Sequence, residues 1–307
     1  MNAAIRRFAQ SNFMYSFGRD KVAMVSFAIL AAFVILAFSA PVIAPYDPYD
    51  QTTIDIMDSE IPPMWQDEGE ARFLLGTDAQ GRDMLSTILY GTRISIIIGV
   101  CAVLMQMFLG ITIGLVSGYV GGRVESFFMR LADIQLSLST LMLAIVALAI
   151  FQAAFSAEAY SDMAIIMLIL VIGFAEWPQY ARTIRASVLA EKKKEYVDAA
   201  RVIGFGAPTI MFKHILPNTL SPLLVISTVQ VANAIISEAA LSFLGLGMPV
   251  TKPSLGSLIN SGFEFIFSGS WWITAIPSIV LIALILCINL LGDWVRDALN
   301  PKIYKEK

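Results

Sequence analysis

The sequence predicts an all-α, polytopic membrane protein with six transmembrane helices. Three observations predict it. Apolar residues make up 57% of the 307-residue chain and charged ones 15%. The mean hydropathy is +0.72, outside the range of soluble globular chains. Apolar runs near or above the roughly 20 residues that cross a bilayer recur along the chain. They fall at 22–44, 94–119, 131–154, 163–178, 216–241 and 271–291.

Residues 1–21 form a polar, basic N-terminal segment ahead of the first span, 22–44. That span is too long for the apolar core of a secretory signal and reads as a permanent membrane helix. It stops at Ala44-Pro45-Tyr46-Asp47-Pro48, where two prolines forbid helix continuation. The loop 45–93 carries ten carboxylates from Asp47 to Asp83 and is expected to fold over one face of the bundle. A five-helix core, 94–292, follows, with a long polar loop at 179–215 and a short tail at 293–307. The second span holds Gly110, Gly114, Gly118 and Gly122 at four-residue spacing. Such a stripe lets another backbone approach closely, within the chain or across a subunit boundary. The fourth span is the shortest and ends on Glu176-Trp177-Pro178.

Orientation follows from the cations. With the N-terminus inside, cytoplasmic segments hold 17 of the 21 Lys and Arg residues, and outer segments hold Arg72, Arg82, Arg93 and Lys252. That asymmetry obeys the positive-inside rule and places both termini in the cytoplasm. The net charge of −3 thus conceals two faces of opposite sign and implies no nucleic-acid partner.

No phosphate-binding G-x-x-x-x-G-K-[ST] loop, G-x-S-x-G or H-E-x-x-H pattern occurs, so no catalytic residues are assigned. The single histidine, His214, lies beside Ile215-Leu216-Pro217 without a ligand cluster, and Cys101 and Cys287 each sit in an apolar run. No metal or cofactor is expected. Glu238 lies 21 residues beyond Pro217, about 30 Å along a helix. It is read, with Glu176 and Asp293, as an interfacial or intersubunit polar contact.

The polar loop carries the most information. From Glu191 to Ile203 there is neither Pro nor Gly, and the composition favours helix. Tyr196, Ala199, Ala200 and Ile203 share one face at i, i+3, i+4, i+7. Gly204-Phe205-Gly206 ends the helix, because glycine accepts the positive φ of a C-terminal cap. Pro208 suits the first turn of a new helix leading to Leu216-Pro217-Asn218. The expectation is a helix–Gly turn–helix presented to a partner surface. Lys192-Lys193-Lys194 reads as a solvated topology signal.

Glu195 to Gly204 followed by Leu216-Pro217 resembles the "EAA" loop of binding-protein-dependent ABC import permeases. Leu75-Gly76-Thr77-Asp78-Ala79-Gln80-Gly81-Arg82-Asp83 and Glu238-Ala239-Ala240-Leu241-Ser242-Phe243-Leu244-Gly245 resemble signatures of the dipeptide/oligopeptide group. The Ala44-Pro45-Tyr46-Asp47-Pro48 opening is similar to the C-type subunit of that group. The chain departs from the group at Ser254-Leu255-Gly256, where a Trp-Gly pair is usual, and at Leu138-Ser139-Thr140, where a proline is common.

The resemblance implies a type I ABC importer permease of the bacterial inner membrane. Its implied partners are a second homologous permease, two cytoplasmic ATP-binding subunits, an extracytoplasmic substrate-binding protein and membrane lipid. It implies that Glu195, Tyr196, Ala199, Ala200, Ile203, Gly204, Leu216 and Pro217 couple the permease to an ATPase. The implied cargo is di- or oligopeptides, with nickel chelates, glutathione, opines or sugars as alternatives. An ion-coupled secondary transporter fits less well, because neither an internal repeat nor a midplane charge is visible.

Overall fold

The computed structural model describes residues 12–50 and 54–299. Residues 1–11 of the N-terminal segment and 300–307 of the tail, with Arg6, Arg7, Lys302, Lys305 and Lys307 of the charge count, lie outside the described residues. Helix α1 (Asn12–Arg19) leads into α2 (Lys21–Phe38), capped by Asp20 Oδ1 accepting from the Val22 and Ala23 N–H groups at 2.9 and 3.0 Å. The short α3 (Ala40–Ile43) and a 3-10 turn (Ile56–Asp58) precede the 37-residue α4 (Met84–Val120). Then come α5 (Gly122–Ser137), α6 (Thr140–Ala154), α7 (Ala157–Ala175) and α8 (Trp177–Glu191). Helices α9 (Glu195–Val202) and α10 (Ala207–Thr209) and a π-helical turn (Ile210–Ile215) lead to α11 (Leu216–Phe243). Helices α12 (Leu255–Phe263) and α13 (Trp272–Ala298) complete the described chain, and no strand occurs among its residues.

Helices α2, α4, α7, α11 and α13 are long and apolar enough to cross a membrane. The pair α5 and α6, bent by 90°, is long and apolar enough for a sixth crossing when its two helices are taken as one span. The sequence pattern had suggested one continuous span at 131–154. The helix breaks instead where Leu138 and Ser139 adopt extended backbone. Serine favours such a break because its hydroxyl competes for backbone partners, so no proline is needed. The fourth span also moves, to Ala157–Ala175, and Pro178 opens α8 where it had been expected to close the span.

Helix α4 is the central post, against which α8, α11, α7 and α2 all pack. Its glycine stripe resolves to packing within the chain. A Cβ on Gly110 would lie 2.2 Å from Tyr180 Cβ, one on Gly114 2.5 Å from the Ala181 carbonyl oxygen, and one on Gly118 2.8 Å from Val188 Cβ. Gly122 does not belong to the seam, since open space surrounds it at the head of α5. Gly114→Leu is therefore expected to drive α8 off α4 and to lower the yield of detergent-stable protein more than tenfold. Gly122→Ala meets no neighbour and bears only the strain of holding φ +59°, so the yield should fall far less, and size-exclusion chromatography after extraction reads both.

The 75–83 segment is a clasp at the head of α4. Gly76 and Gly81 take φ values of +81° and +78°, and Asp83 caps α4 by accepting from the Ser86 N–H at 2.8 Å. Asp78, 1% exposed, accepts from Arg82 Nε at 2.7 Å and from the Gln80 and Arg82 N–H groups at 2.9 Å each. Arg82 also donates to the Val250 carbonyl at 2.7 Å, tying the clasp to the loop after α11. Trp272 Nε1 donates to the Thr77 carbonyl at 3.1 Å and brings in α13.

Glu238 is not the interfacial or intersubunit contact that its position had suggested. It is fully buried within the chain, accepting from Ser95 Oγ at 2.8 Å and Ser242 Oγ at 2.7 Å. Ser95 in turn accepts from the Leu255 N–H at 3.4 Å, so one carboxyl gathers α4, α11 and α12. Glu176 has its partner within the chain as well, with Gln179 Nε2 donating at 2.6 Å, whereas Asp293 is exposed.

Candidate functional site: the helical loop between α8 and α11

The loop sits at the end of the bundle remote from the clasp. Helix α8 runs along α4 so that Val188 meets Gly118, about 50 Å along α4 from Met84. There Lys192 Nζ donates to the Tyr119 carbonyl at 2.5 Å and lies 5.3 Å from the Tyr119 ring. Lys192 is thus no solvated topology charge. It satisfies a carbonyl that the last turn of α4 leaves open and complements the negative end of that helix dipole. Lys193 and Lys194 remain exposed.

The expected single helix from Glu191 to Ile203 is two helices, since α8 closes at Glu191 and α9 opens at Glu195. A tyrosine clasp spans the break. Tyr196 Oη donates to Glu191 Oε2 at 2.7 Å and accepts from Asn218 Nδ2 at 3.3 Å. Three helices, α8, α9 and α11, therefore meet on one phenol. Hydrogen bonds from Lys194 and then Tyr196 pull the Glu191 carboxyl below the usual glutamate range. A depressed folded-state value makes this stabilisation present above the unfolded pKa and lost as pH falls through the folded one. The clasp is thus intact at neutral pH. Glu191→Ala is expected to raise amide hydrogen exchange across 195–203 about threefold or more, and unchanged protection would show that Tyr196 contributes nothing to the loop's order.

The face of α9 turned inward differs from the expected one. Val197 and Ala200 are buried, packed with Ile210, Met211 and Ile215 of the π-helical turn and with Val188. Ala199 points outward, as do Ile203, 72% exposed, and Val202, 89% exposed. The predicted face of Tyr196, Ala199, Ala200 and Ile203 is therefore split by the fold: Ala200 packs inward, Tyr196 bridges, and Ala199 and Ile203 are free. Pattern alone could not choose between faces about 100° apart, because the π-helical turn that selects Val197 comes later in the chain.

The turn follows expectation. Gly204 has φ +91°, and the Phe205 N–H returns to the Ala200 carbonyl at 3.1 Å. Pro208 lies in the first turn of α10, and Pro217 in the first turn of α11. Leu216 is half-buried and Pro217 exposed. Val202, Ile203 and the 42%-exposed Phe205 thus form an apolar knob at the tip, flanked by exposed Glu195, Asp198 and Arg201. Val202 and Phe205 were missed from sequence, where each reads as an ordinary apolar residue next to a glycine. His214 packs against Phe205 with ring centroids 5.4 Å apart and the rings tilted by 42°. Among the described residues, no three His, Cys, Asp or Glu side chains converge on a metal-sized site.

Comparison with known proteins agrees with this architecture. Residues 110–305 match the binding-protein-dependent transport system inner membrane component family, and residues 11–63 match the N-terminal transmembrane domain of oligopeptide transport permease C. The chain is 38% identical over 291 residues to the di/tripeptide transport system permease protein DppC of Pseudomonas aeruginosa, covering 95% of this chain and 91% of that one. It is likewise 38% identical to the dipeptide transport system permease protein DppC of Escherichia coli, covering 95% and 92%. Identity to the oligopeptide transport system permease protein OppC of Bacillus subtilis is 32%, covering 95% and 89%. A chain of the MetNI methionine ABC transporter superposes with a TM-score of 0.55 at 16% identity, over 71% of this chain and 98% of that one, and shows the same type I permease fold. The chain belongs to the family of binding-protein-dependent transport system inner membrane components, in the branch that carries the permease C N-terminal transmembrane domain.

Proposed function

We propose that this chain is one of two permease subunits of an ATP-driven importer that moves di- or oligopeptides handed over by an extracytoplasmic binding protein. The observation that carries this reading is the apolar knob of Val202, Ile203 and Phe205 on a loop otherwise built of charged residues. An apolar tip held in water by a glycine turn and a tyrosine clasp is complementary to a groove on another protein. In this reading, the groove belongs to a cytoplasmic ATPase. Glu195, Tyr196, Ala199, Ala200, Ile203, Gly204, Leu216 and Pro217 form the coupling element, with Ala200 and Tyr196 bracing it and Ala199 and Ile203 meeting the partner. ATP-driven approach of two ATPases then moves two such loops as rigid bodies and switches the pathway between its two faces.

The excess of Lys and Arg on the loop side orients the chain. Segments 1–21 and 293–307 are cytoplasmic, 22–44 is the first crossing, 45–93 lies outside, and 94–292 is the permease core with the coupling loop 179–215. A second homologous permease completes the pathway. Peptide cargo is supported by the names of the dipeptide and oligopeptide permeases to which the chain is similar.

Affinity purification of the chain from native membranes, with mass spectrometry of what accompanies it, tests the assembly. A second permease and one or two ATPases are expected. Recovery of the chain alone, in a detergent that preserves known importers, would overturn the reading. The cargo is tested separately, by identifying what the cognate binding protein holds when purified.

A further inference from the structure

At the centre of α11 two carboxamides form a pair that the fold leaves half-satisfied. Asn233 Nδ2 donates to Gln230 Oε1 at 2.9 Å. Gln230 is 2% exposed, yet its Nε2 has no partner. Asn233 is exposed, and its Oδ1 accepts no hydrogen bond from the described residues. The apolar stretch of α11 runs from Pro222 to Phe243, so Asn233 sits at its middle. A carboxamide turned to lipid tails there would leave its polar atoms unpaired in hydrocarbon, at a cost that disfavours the arrangement. By contrast, the exposed faces of α4 and α13 are apolar at comparable depth, with Val100, Leu104 and Phe108 on one and Ile279, Ile282 and Leu286 on the other. Thr112, also exposed on α4, donates its hydroxyl to the Phe108 carbonyl at 2.7 Å and so satisfies itself.

We infer that Asn233, positioned by the buried Gln230, lines the water-filled translocation pathway and hydrogen-bonds the main chain of a passing peptide. Asn233 is the exposed member, and its free Oδ1 is an acceptor for a peptide N–H, while the buried Gln230 holds it in place by accepting from its Nδ2 at 2.9 Å. Both are uncharged, so the pair reads no net charge on the cargo. Val229 and Ile236, 41% and 45% exposed, flank Asn233 along the same face and offer apolar wall to side chains of any kind. A main-chain reader between apolar walls suits cargo that varies in sequence and needs weak holding in transit. This inference rests on the peptide-importer reading.

Cysteine accessibility in the reconstituted complex tests it. In a Cys101→Ala, Cys287→Ala background, Asn233→Cys, Val229→Cys and Ile282→Cys are treated with a charged, water-soluble methanethiosulfonate reagent. The first two are expected to react at least tenfold faster than Ile282→Cys. Asn233→Cys reacting as slowly as Ile282→Cys would overturn the pathway assignment and place this face against lipid or a packed subunit. Asn233→Leu and Gln230→Leu, purified as intact complexes, are expected to lower peptide uptake about three- to tenfold, the effect of one lost neutral hydrogen bond. Asn233→Gln should recover most of it. Rapid labelling with uptake unchanged in both Leu variants would overturn the hydrogen-bonding role. Failure of the cargo reading is distinguishable, because it abolishes peptide uptake by the unmutated complex and leaves the labelling pattern intact.

Discussion

Arg82→Ala is expected to be among the most damaging single substitutions for stability. Asp78 and Arg82 are 1% and 5% exposed, and their ion pair at 2.7 Å is reinforced by two backbone N–H groups on the carboxylate and by the Val250 carbonyl on the guanidinium. Removing the arginine leaves a buried carboxylate without its counter-charge, a loss of about 3–5 kcal/mol in comparable buried pairs. It also releases the loop after α11 from the head of α4. Arg82→Lys keeps the charge and loses the planar fork that serves Asp78 and Val250 together, so its effect should be intermediate. The thermal unfolding midpoint of the purified complex should fall furthest for Arg82→Ala. The Asp78→Ala, Arg82→Ala double variant should be less destabilised than the sum of the two singles, because no unpaired charge remains. Additive shifts in that cycle would show that water reaches the pair and that the clasp is held by its backbone hydrogen bonds alone.

What was legible in the sequence was local. Gly204, Pro208 and Pro217 punctuate the segment between α8 and α11 by their own backbone chemistry, and each stands where its residue type demanded. The five long spans were visible because bilayer crossing needs only length and apolarity, both properties of a run of residues. What was not legible was non-local. Lys192 caps a carbonyl 73 residues away, and Glu238 accepts from Ser95 across 143 residues, so neither partner leaves a mark near the residue itself. The inward face of α9 depended on a π-helical turn with no distinctive composition. The bend between α5 and α6 arises at serines, which punctuate less forcefully than glycine or proline. The glycine stripe lies between these cases: its spacing announced a close approach, and only the fold could say that α8 makes it.

On the proposed importer reading, Ile203→Asp is expected to reduce uptake to background while the chain still inserts and assembles with the second permease of that reading. Ile203 and Val202 are 72% and 89% exposed on the loop tip and touch little of their own chain, so the substitution removes almost nothing from the fold. In a partner's groove, each would bury a side chain worth about 1.5–3 kcal/mol. A carboxylate at that position forfeits this gain and must also be desolvated without a counter-ion. Gly204→Val attacks the same element through its backbone. Nothing lies within 4 Å of a Cβ built at Gly204, so there is no collision, and the whole effect comes from holding a β-branched residue at φ +91°. The turn is then expected to relax and re-aim the knob, lowering uptake strongly while ATPase still co-purifies in part. The two variants separate contact from geometry: the first should lose the ATPase, the second should retain it and transmit its motion poorly. Normal uptake by both would remove the knob from the coupling path and leave the loop as a brace between α8 and α11.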